Sequence, residues 1–360
     1  MRFGVLSAID WSLLVPSLIL VIFSLATLFS ISVSYFLSQL FYVLLSLVVF
    51  IIFSQVHYKA IHLYSLPIYI FSLLAFLFVL FIGFESRGAV RWIDILGFRL
   101  QFSEILKPFL IVSFASFLAD RKNASFYSFI LSLCFLFPIA LFIFLQPDLG
   151  TAIVYILVVF ATILVFGFRL RLFLGILGIF ILLLPVFWQF LRDYQRYRIL
   201  TFLRPEGDPL GTSYNGIQAM IAVGSGALFG KGLGQGTQSI LRFLPERHTD
   251  FIFATICESF GFIGGLIVIF VFAFLLYRIY ILYLSVDDSF RKTFCIAAFF
   301  LLLTQFFINV GMNIGLVPIV GITLPFVSYG GSSVLSSFIL LGILSSFSYR
   351  LKNRETLEIR

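Results

Sequence analysis

Long apolar stretches separated by short polar connections make up most of this chain. No Asp, Glu, Lys or Arg occurs in the 48 residues of 11–58 or in the 57 residues of 293–349. A membrane-spanning helix needs about 20 apolar residues, so each stretch predicts two spans. We expect the first pair to be separated near 35–39 and the second pair by the Gly- and Pro-rich segment 311–333. Because the stretches are continuous rather than alternating, they indicate helices and not the strands of a transmembrane β-barrel.

Six further apolar stretches bring the predicted number of spans to ten. They cover residues 66–83, 105–119, 126–145, 151–167, 172–191 and 251–277. The predicted fold class is therefore all-α, a polytopic membrane protein in which residues 1–360 form a single integral membrane domain. Two longer connections, 84–104 and 192–250, lie outside the spans, and the larger one separates spans seven and eight.

The composition supports a membrane protein. An apolar content of 61%, a charged content of 11% and a mean hydropathy of +1.12 exclude a water-soluble globule. Cys134, Cys257 and Cys295 lie in apolar surroundings without the spacing of a zinc site or a disulfide framework. No metal ligand is predicted, and the cysteines are interpreted as packing residues.

The formal net charge of +8 is interpreted as a consequence of topology. One set of short connections carries Lys and Arg, whereas the other set carries neither. The basic set is the N-terminus, 55–65, 120–125, 168–171, 278–292 and the C-terminal tail; the other set is 34–38, 146–150 and 311–333. Basic connections face the cytoplasm, so we expect both termini inside and the two long loops outside. No soluble basic patch remains, and no nucleic-acid partner is predicted.

Charged residues at the ends of spans are functional candidates, because an isolated charge in hydrocarbon is costly. Glu104 and Lys107 are three residues apart on one predicted helix and can neutralise each other. They form either a structural ion pair or a substrate contact. Asp148 precedes Thr151 at a predicted helix start, where it either caps the helix or has a functional role.

The loop 192–250 contains a glycine-dense segment, 224–236, that includes Lys231. It is not a phosphate-binding P-loop, because the spacing from Gly226 to Gly230 is one residue short and no Ser or Thr follows the lysine. The glycines allow the backbone to approach a ligand or a neighbouring helix closely. The alternative is a flexible surface loop.

Asp250 stands where this polar loop changes into span eight, directly after the polar segment 246–249. A carboxylate at the membrane surface in such a segment is a candidate general base. The alternative is a helix N-cap formed by Asp250 or by Thr249. Glu258 lies about 12 Å deeper on the same helix, and we expect it to pair inside the bundle rather than to act beside Asp250.

Several segments in order along the chain resemble the SEDS family, the proteins of shape, elongation, division and sporulation. The resemblance extends over nearly the whole chain. The matching segments are 91–93 (Arg-Trp-Ile), 101–108, 146–152 (Gln-Pro-Asp-Leu-Gly-Thr-Ala), 194–198, 230–238, 244–254 and 309–333, which ends in Pro-Phe-Val-Ser-Tyr-Gly-Gly-Ser-Ser. Residues 236–238 and 243–246 are more similar to the elongation branch of the family than to its division branch.

This resemblance implies a peptidoglycan glycosyltransferase that polymerises lipid II on the outer face of the cytoplasmic (inner) membrane, for cell elongation and rod shape. It implies a class B penicillin-binding protein as partner, and Asp250 of the His-Thr-Asp-Phe motif as the catalytic carboxylate. The chain departs from the family at Phe102, where Pro is common, and at Ser259, where a second acidic residue is common. The second departure removes a carboxylate beside Glu258.

On this interpretation Asp250 accepts the proton of the acceptor hydroxyl while polyprenyl pyrophosphate leaves the donor sugar. Polar side chains of the loop 192–250 are the candidates for binding substrate, namely Arg196, Arg198, Lys231, Arg242, Arg247 and His248. A supporting role is expected for Glu104, Lys107, Asp148 and Glu258. The cofactor is left open, since a divalent cation could help to neutralise the leaving pyrophosphate.

Other functions also fit ten spans with buried charges. A flippase of lipid-linked cell-wall precursors would present charged groups to both leaflets, whereas the charged candidates of this chain cluster in its outer half. A non-catalytic scaffold for a penicillin-binding protein and a polymerase of the division branch are the remaining alternatives.

Overall fold

The computed structural model describes residues 9–86, 89–95, 98–121, 124–191, 193–203 and 213–358. Helices dominate these ranges. In chain order they are α1 Trp11–Ile31, α2 Val33–Gln55, α3 Tyr58–Leu63, α4 Ser65–Ile82, α5 Phe102–Ile105, α6 Lys107–Ala119, α7 Phe126–Leu145, α8 Leu149–Phe166, α9 Leu170–Phe190, α10 Asp193–Leu203, α11 Tyr214–Ser225, α12 Thr237–Ile240, α13 Ile252–Ser285, α14 Ser289–Asn313 and α15 Gly331–Glu358.

The helices confirm the predicted all-α membrane fold. Among the described residues, nine helices are long and apolar enough to cross a membrane. The tenth predicted span is the shorter apolar helix α6, which continues from α5 through Leu106. These ten helices correspond one by one to the ten predicted spans.

Two predicted boundaries are wrong. The first two spans separate at Ser32, whose extended backbone (φ −168°, ψ 132°) ends α1, so residues 34–38 lie inside α2. Hydropathy could not locate this break, because one non-helical residue interrupts an otherwise uniform apolar stretch. The eighth span, α13, continues beyond the expected residue 277 to Ser285.

The loop 84–104 contains a small antiparallel sheet that the helical prediction did not include. Its strands are β1 Phe84–Ser86, β2 Ala89–Ile95 and β3 Phe98–Gln101, in the order β1-β2-β3. In the register of β2 and β3, Trp92 pairs with Gln101. The sheet packs against α4 and α15 and carries polar residues of the loop towards the bundle.

Two apolar cores hold the long helices together. The larger core joins α1, α2, α13, α14 and α15, and includes the aromatic contact of Phe294 with Phe347 (ring centroids 5.5 Å apart). The smaller core joins α4, α6, α7 and α8. No residue of α9, whose whole length the structure describes, is buried, and only its first turns pack against the smaller core. Most of α9 therefore presents its apolar side chains to the surroundings of the bundle.

The glycine-dense segment packs against a kink in α13 and is not a free surface loop. Gly261 has φ 72° and ψ −168°, which interrupts the helix. The amide of Lys231 donates to the carbonyl of Glu258 (2.9 Å), and the amide of Phe262 donates to the carbonyl of Ala227 (2.8 Å). Backbone groups freed at membrane depth need such partners. The loop thus completes the hydrogen bonding of α13, as the prediction of close backbone approach to a neighbouring helix anticipated.

Candidate active site

A cavity of about 420 Å³ lies at one end of the bundle, where four of the five predicted outer segments meet. Its wall includes residues from 91–104, 147–153, 195–199, 246–250 and 318–333. These ranges come from both long loops and from two of the three connections without basic residues. The segments that the charge distribution assigned to one side of the membrane therefore lie together at one end of the bundle. The volume falls within the range of small-molecule sites.

Asp250 lies on the wall of this cavity, half-buried, immediately before α13. The helix begins at Ile252 with Phe251 at the N-cap position, and no side chain of that residue caps it. The amide of Ala254 instead donates a hydrogen bond to another helix, with Asn313 Oδ1 as the acceptor at 3.0 Å. The alternative that Asp250 or Thr249 serves as the N-cap residue is wrong. The position of Asp250 on the cavity wall suits the predicted general base.

Acidic side chains outnumber basic ones around the cavity. Glu104, Asp148, Glu246 and Asp250 line it, and Arg91 is the one basic side chain among its described lining residues. Arg91 Nη1 lies 3.6 Å from Asp148 Oδ1, while the buried Arg91 Nε has no hydrogen-bond partner within the described chain. The guanidinium therefore has donors left for an anion. No group of three or more His, Cys, Asp or Glu side chains in the described ranges is arranged to hold a metal ion.

Asp148 is both a helix cap and a cavity residue. It is the N-cap of α8, where Oδ1 accepts from the amide of Thr151 (3.3 Å) and Oδ2 from its hydroxyl (3.0 Å). Gln101 Nε2 also donates to Oδ2, at 3.1 Å. The two predicted roles are thus compatible, because capping fixes the buried carboxylate beside Arg91 on the cavity wall.

Glu104 and Lys107 form the predicted ion pair. Lys107 Nζ lies 2.5 Å from Glu104 Oε1, and the two side chains are 1% and 8% exposed. Glu104 lines the cavity, whereas Lys107 lies behind it. The second oxygen, Glu104 Oε2, is buried without a hydrogen-bond partner among the described residues. The pair therefore supports the inner wall of the cavity, with the carboxylate on the cavity side.

Glu258 is fully buried and pairs inside the protein, as expected. Its oxygens accept from the amide of Gln238 (2.8 Å) and from the amide and hydroxyl of Ser239 (3.0 and 2.6 Å). Lys231 Nζ lies 3.5 Å from Glu258 Oε1 and donates to Thr237 Oγ1. Glu258 thus fastens the loop to α13, and Lys231 belongs to this attachment.

The basic residues predicted to bind substrate do not line the cavity. Arg196 donates to the carbonyls of Trp188 (3.1 Å) and Gln189 (2.9 Å), which secures the end of α9. Arg242 is exposed, and the side chain of Arg198 lies outside the described part of the structure. Burial, and then the neighbouring Arg242 guanidinium, lower the pKa of Arg247. Substrate binding by these residues stays a prediction, and sequence reasoning missed Arg91.

His248 is connected to the cavity through aromatic rings. Its ring stacks on Tyr35 with centroids 4.4 Å apart and planes 7° apart, and lies 5.5 Å from the ring of Tyr329. Tyr329 lines the cavity. Neither tyrosine was a candidate, since aromatic residues are too frequent in this chain to be singled out from the sequence.

The chain is similar to proteins of one family over almost its full length. The model of the FtsW_RodA_SpoVE family, described as cell cycle protein, matches residues 4–353. The peptidoglycan glycosyltransferase MrdB of Escherichia coli strain K12 is 36% identical over 310 residues, which cover 84% of this chain and 82% of that protein.

Two solved structures share the fold. One, described as structural coordination of polymerization and crosslinking by a peptidoglycan synthase complex, has a TM-score of 0.82 and 28% identity, and covers 95% of this chain and 98% of that chain. The rod shape determining protein RodA of Thermus thermophilus has a TM-score of 0.72 and 26% identity, with coverage of 95% and 97%. This chain therefore belongs to the FtsW/RodA/SpoVE family, the SEDS proteins that its sequence motifs indicate.

Proposed function

We propose that this chain is a peptidoglycan glycosyltransferase that lengthens glycan strands from lipid II, with Asp250 as its general base. One observation carries the proposal: the Asp250 carboxylate and the Arg91 guanidinium line the same cavity at the predicted outer end of the bundle. The reaction needs a proton acceptor for the attacking sugar hydroxyl and a cation for the departing pyrophosphate. The cavity offers one group of each kind.

In the proposed step, the Asp250 carboxylate accepts the proton of the acceptor hydroxyl. The hydroxyl oxygen forms a bond to the anomeric carbon of the donor, and the bond from that carbon to the polyprenyl pyrophosphate breaks. The pyrophosphate leaves with the bonding electron pair. General-base assistance of this kind contributes about 10²–10⁴ in rate.

Arg91 is the proposed contact of the pyrophosphate. A guanidinium binds phosphate oxygens through two parallel hydrogen bonds, and Arg91 Nε is without a partner in the described structure. The acidic excess of the remaining wall repels an anion, so we expect the pyrophosphate at the Arg91 side of the cavity and the uncharged sugars between it and Asp250. This arrangement keeps the two reacting groups on opposite sides of the bond that breaks.

The polyprenyl chain of the substrate is expected to lie along α9. Its apolar side chains are exposed along most of the helix, and Gln195 and Ile199 of the adjoining α10 line the cavity. A lipid chain can therefore remain in hydrocarbon while its head group enters from the side. This placement avoids moving the apolar tail through water.

The predicted location is the cytoplasmic membrane, with both termini in the cytoplasm and the cavity facing outward. Its support is the absence of Lys and Arg from the short connections of the cavity side, against the basic connections of the other side. A class B penicillin-binding protein is the proposed partner, because strands made at this face must be crosslinked. The accessibility of a cysteine placed at the exposed Leu241, compared with one at Lys59 on the other side, would establish the orientation.

The direct test supplies purified full-length protein in detergent with fluorescently labelled lipid II, with and without a chelator of divalent cations. We expect glycan ladders from the parental chain. Asp250→Asn keeps the shape of the side chain but removes the proton acceptor, so its rate should fall at least 100-fold while the folded protein persists. Ladders at the parental rate from Asp250→Asn would refute the base assignment.

A polymerase needs the Asp250 carboxylate as a proton acceptor, whereas a flippase does not. Movement of fluorescent lipid II across the membrane of vesicles that contain the protein, without any glycan product, would favour the flippase.

Within the family, the elongation role is supported by residues 236–238 and 243–246. We expect this chain to restore rod shape in cells that are depleted of their elongation polymerase. It should not restore division in cells that are depleted of their division polymerase.

A further inference from the structure

Three consecutive backbone carbonyls before α13 are each bound by the segment that joins α14 to α15 or by α14 itself. The carbonyl of His248 accepts from the amide of Tyr329 (2.9 Å), and that of Thr249 accepts from the hydroxyl of Ser328 (2.7 Å). The carbonyl of Asp250 accepts from two side chains of α14, Asn309 Nδ2 (3.1 Å) and Asn313 Nδ2 (3.0 Å). The backbone that carries Asp250 is therefore fixed from a different part of the chain.

Asn313 also replaces a local helix cap. The third amide of α13, that of Ala254, donates to Asn313 Oδ1 at 3.0 Å. In most helices such an amide is bound by a polar side chain at the N-terminus of the same helix, and Asp250 is the nearest acidic residue on that side of Ala254. Because Asn313 occupies this amide from α14, the carboxylate is not required to turn towards its own helix.

Asn309 joins Asp250 to a neighbouring segment of the cavity wall. The same Nδ2 that binds the Asp250 carbonyl also donates to the carbonyl of Ile322 at 2.7 Å. The next residue towards the N-terminus, Gly321, lines the cavity, and a Cβ atom at this glycine would lie 3.4 Å from Asp250 Oδ2. Asn309 thus sets the separation between the carboxylate and the wall that it faces. Both asparagines are completely buried.

We propose that Asn309 and Asn313 are positioning residues that hold the Asp250 carboxylate in the cavity and keep it from capping α13. This inference rests on the proposed function. Without Asn313, the amide of Ala254 loses its acceptor, and the side chain of Asp250 becomes the acceptor within reach. Without Asn309, the carbonyls of Asp250 and Ile322 lose the side-chain amide that donates to both. A displacement of about 1 Å can reduce a rate about 100-fold.

The first experiment measures lipid II polymerisation by Asn309→Ala and Asn313→Ala. The matched control is Tyr69→Phe, which removes a hydrogen bond of 2.8 Å from one span to the carbonyl of Phe135 in another, far from the cavity. We expect kcat to fall about 10- to 100-fold in both asparagine variants with KM changed less than about threefold, because the carboxylate acts in the transition state. Tyr69→Phe should keep the parental kcat.

The second experiment measures thermal unfolding and does not depend on enzyme activity. Asp250→Ala is made in the parental chain and in the Asn313→Ala chain. If Asp250 becomes the cap when Asn313 is lost, Asp250→Ala should lower Tm by about 1–3 °C more in the variant chain than in the parental chain. If the Asn313→Ala chain does not accumulate, the kinetic test is made with Asn309→Ala alone.

Three results would overturn the proposal. One is that the kcat of the asparagine variants lies within about threefold of the kcat of Tyr69→Phe while the Tm values of these variants are equal. Another is a kcat loss that only parallels a loss of folded protein, which would make the asparagines scaffold. The third is an equal Tm shift of Asp250→Ala in both chains. A parental chain that makes no glycan would instead refute the proposed function, and the Tm comparison would still test the arrangement.

Discussion

Replacing Lys107 with Met would test whether the Glu104–Lys107 pair is a structural element of the cavity wall. Methionine keeps the length and most of the volume of lysine, so the substitution removes the charge without leaving a large void. Within the described residues Glu104 would lose the hydrogen bond to Oε1, and Oε2 is already without a partner there. A carboxylate that is 8% exposed would then remain inside the bundle without a counter-ion.

The size of the effect follows from this burial. Removing one partner of a buried ion pair costs about 3–5 kcal/mol, and the position of Glu104 on the cavity wall, where water can reach it, favours the lower end of this range. For a chain of 360 residues, such a loss corresponds to a fall in Tm of about 4–7 °C. The assay is thermal unfolding of the purified protein in detergent at one scan rate.

The matched control is the double variant Lys107→Met with Glu104→Gln. It removes both charges, and neutral replacement of a buried pair is often close to neutral in stability. We expect the double variant to regain more than half of the lost Tm. A single variant as stable as the parental chain would refute the reasoning, and so would a double variant no more stable than the single one. Lost turnover at parental Tm would make Lys107 a substrate contact.

Three further substitutions test the backbone and the anion site. Gly261→Ala should lower Tm, because a side chain at φ 72° is strained and its Cβ would collide with the preceding loop, whereas Gly175→Ala, which meets no atom within 4 Å, should not. Gly321→Ala, at φ 74°, places a methyl group beside Asp250 and should lower kcat for glycan synthesis more than it lowers Tm. Arg91→Ala should lower kcat/KM for lipid II by about 10- to 100-fold, and an unchanged value would exclude it as the pyrophosphate contact.

Hydropathy was sufficient to predict the spans because the bilayer imposes one length and one composition on every crossing. It failed where a single residue decides the geometry. Ser32 ends α1 through its backbone conformation, and no local change in polarity marks that position. The sheet from Phe84 to Gln101 was also missed, since its strands are short and its alternating pattern is weak beside the long apolar stretches.

Asp250 could be predicted because an acidic residue at the start of a span is costly and therefore conspicuous. Arg91 could not, although it belongs to a segment that resembles the family. It lies in an outer loop, where basic residues are unremarkable, and only the sheet brings it to the cavity and to Asp148. Arg196 and Lys231 were singled out by their charge as substrate contacts, and in the structure they bind the protein's own carbonyls and carboxylate.

The segment 311–333 explains why charge alone gives an incomplete picture of this site. It carries no charged residue and was predicted as the Gly- and Pro-rich connection between two spans. Yet a connection that enters the bundle must have its backbone groups bound, and uncharged polar side chains such as Gln39, Asn309 and Ser328 provide these bonds. The same bonds that make the connection rigid also fix the residues before α13. The polar residues that position the catalytic candidate are therefore those that the fold already requires, and a sequence contains no charge signal for them.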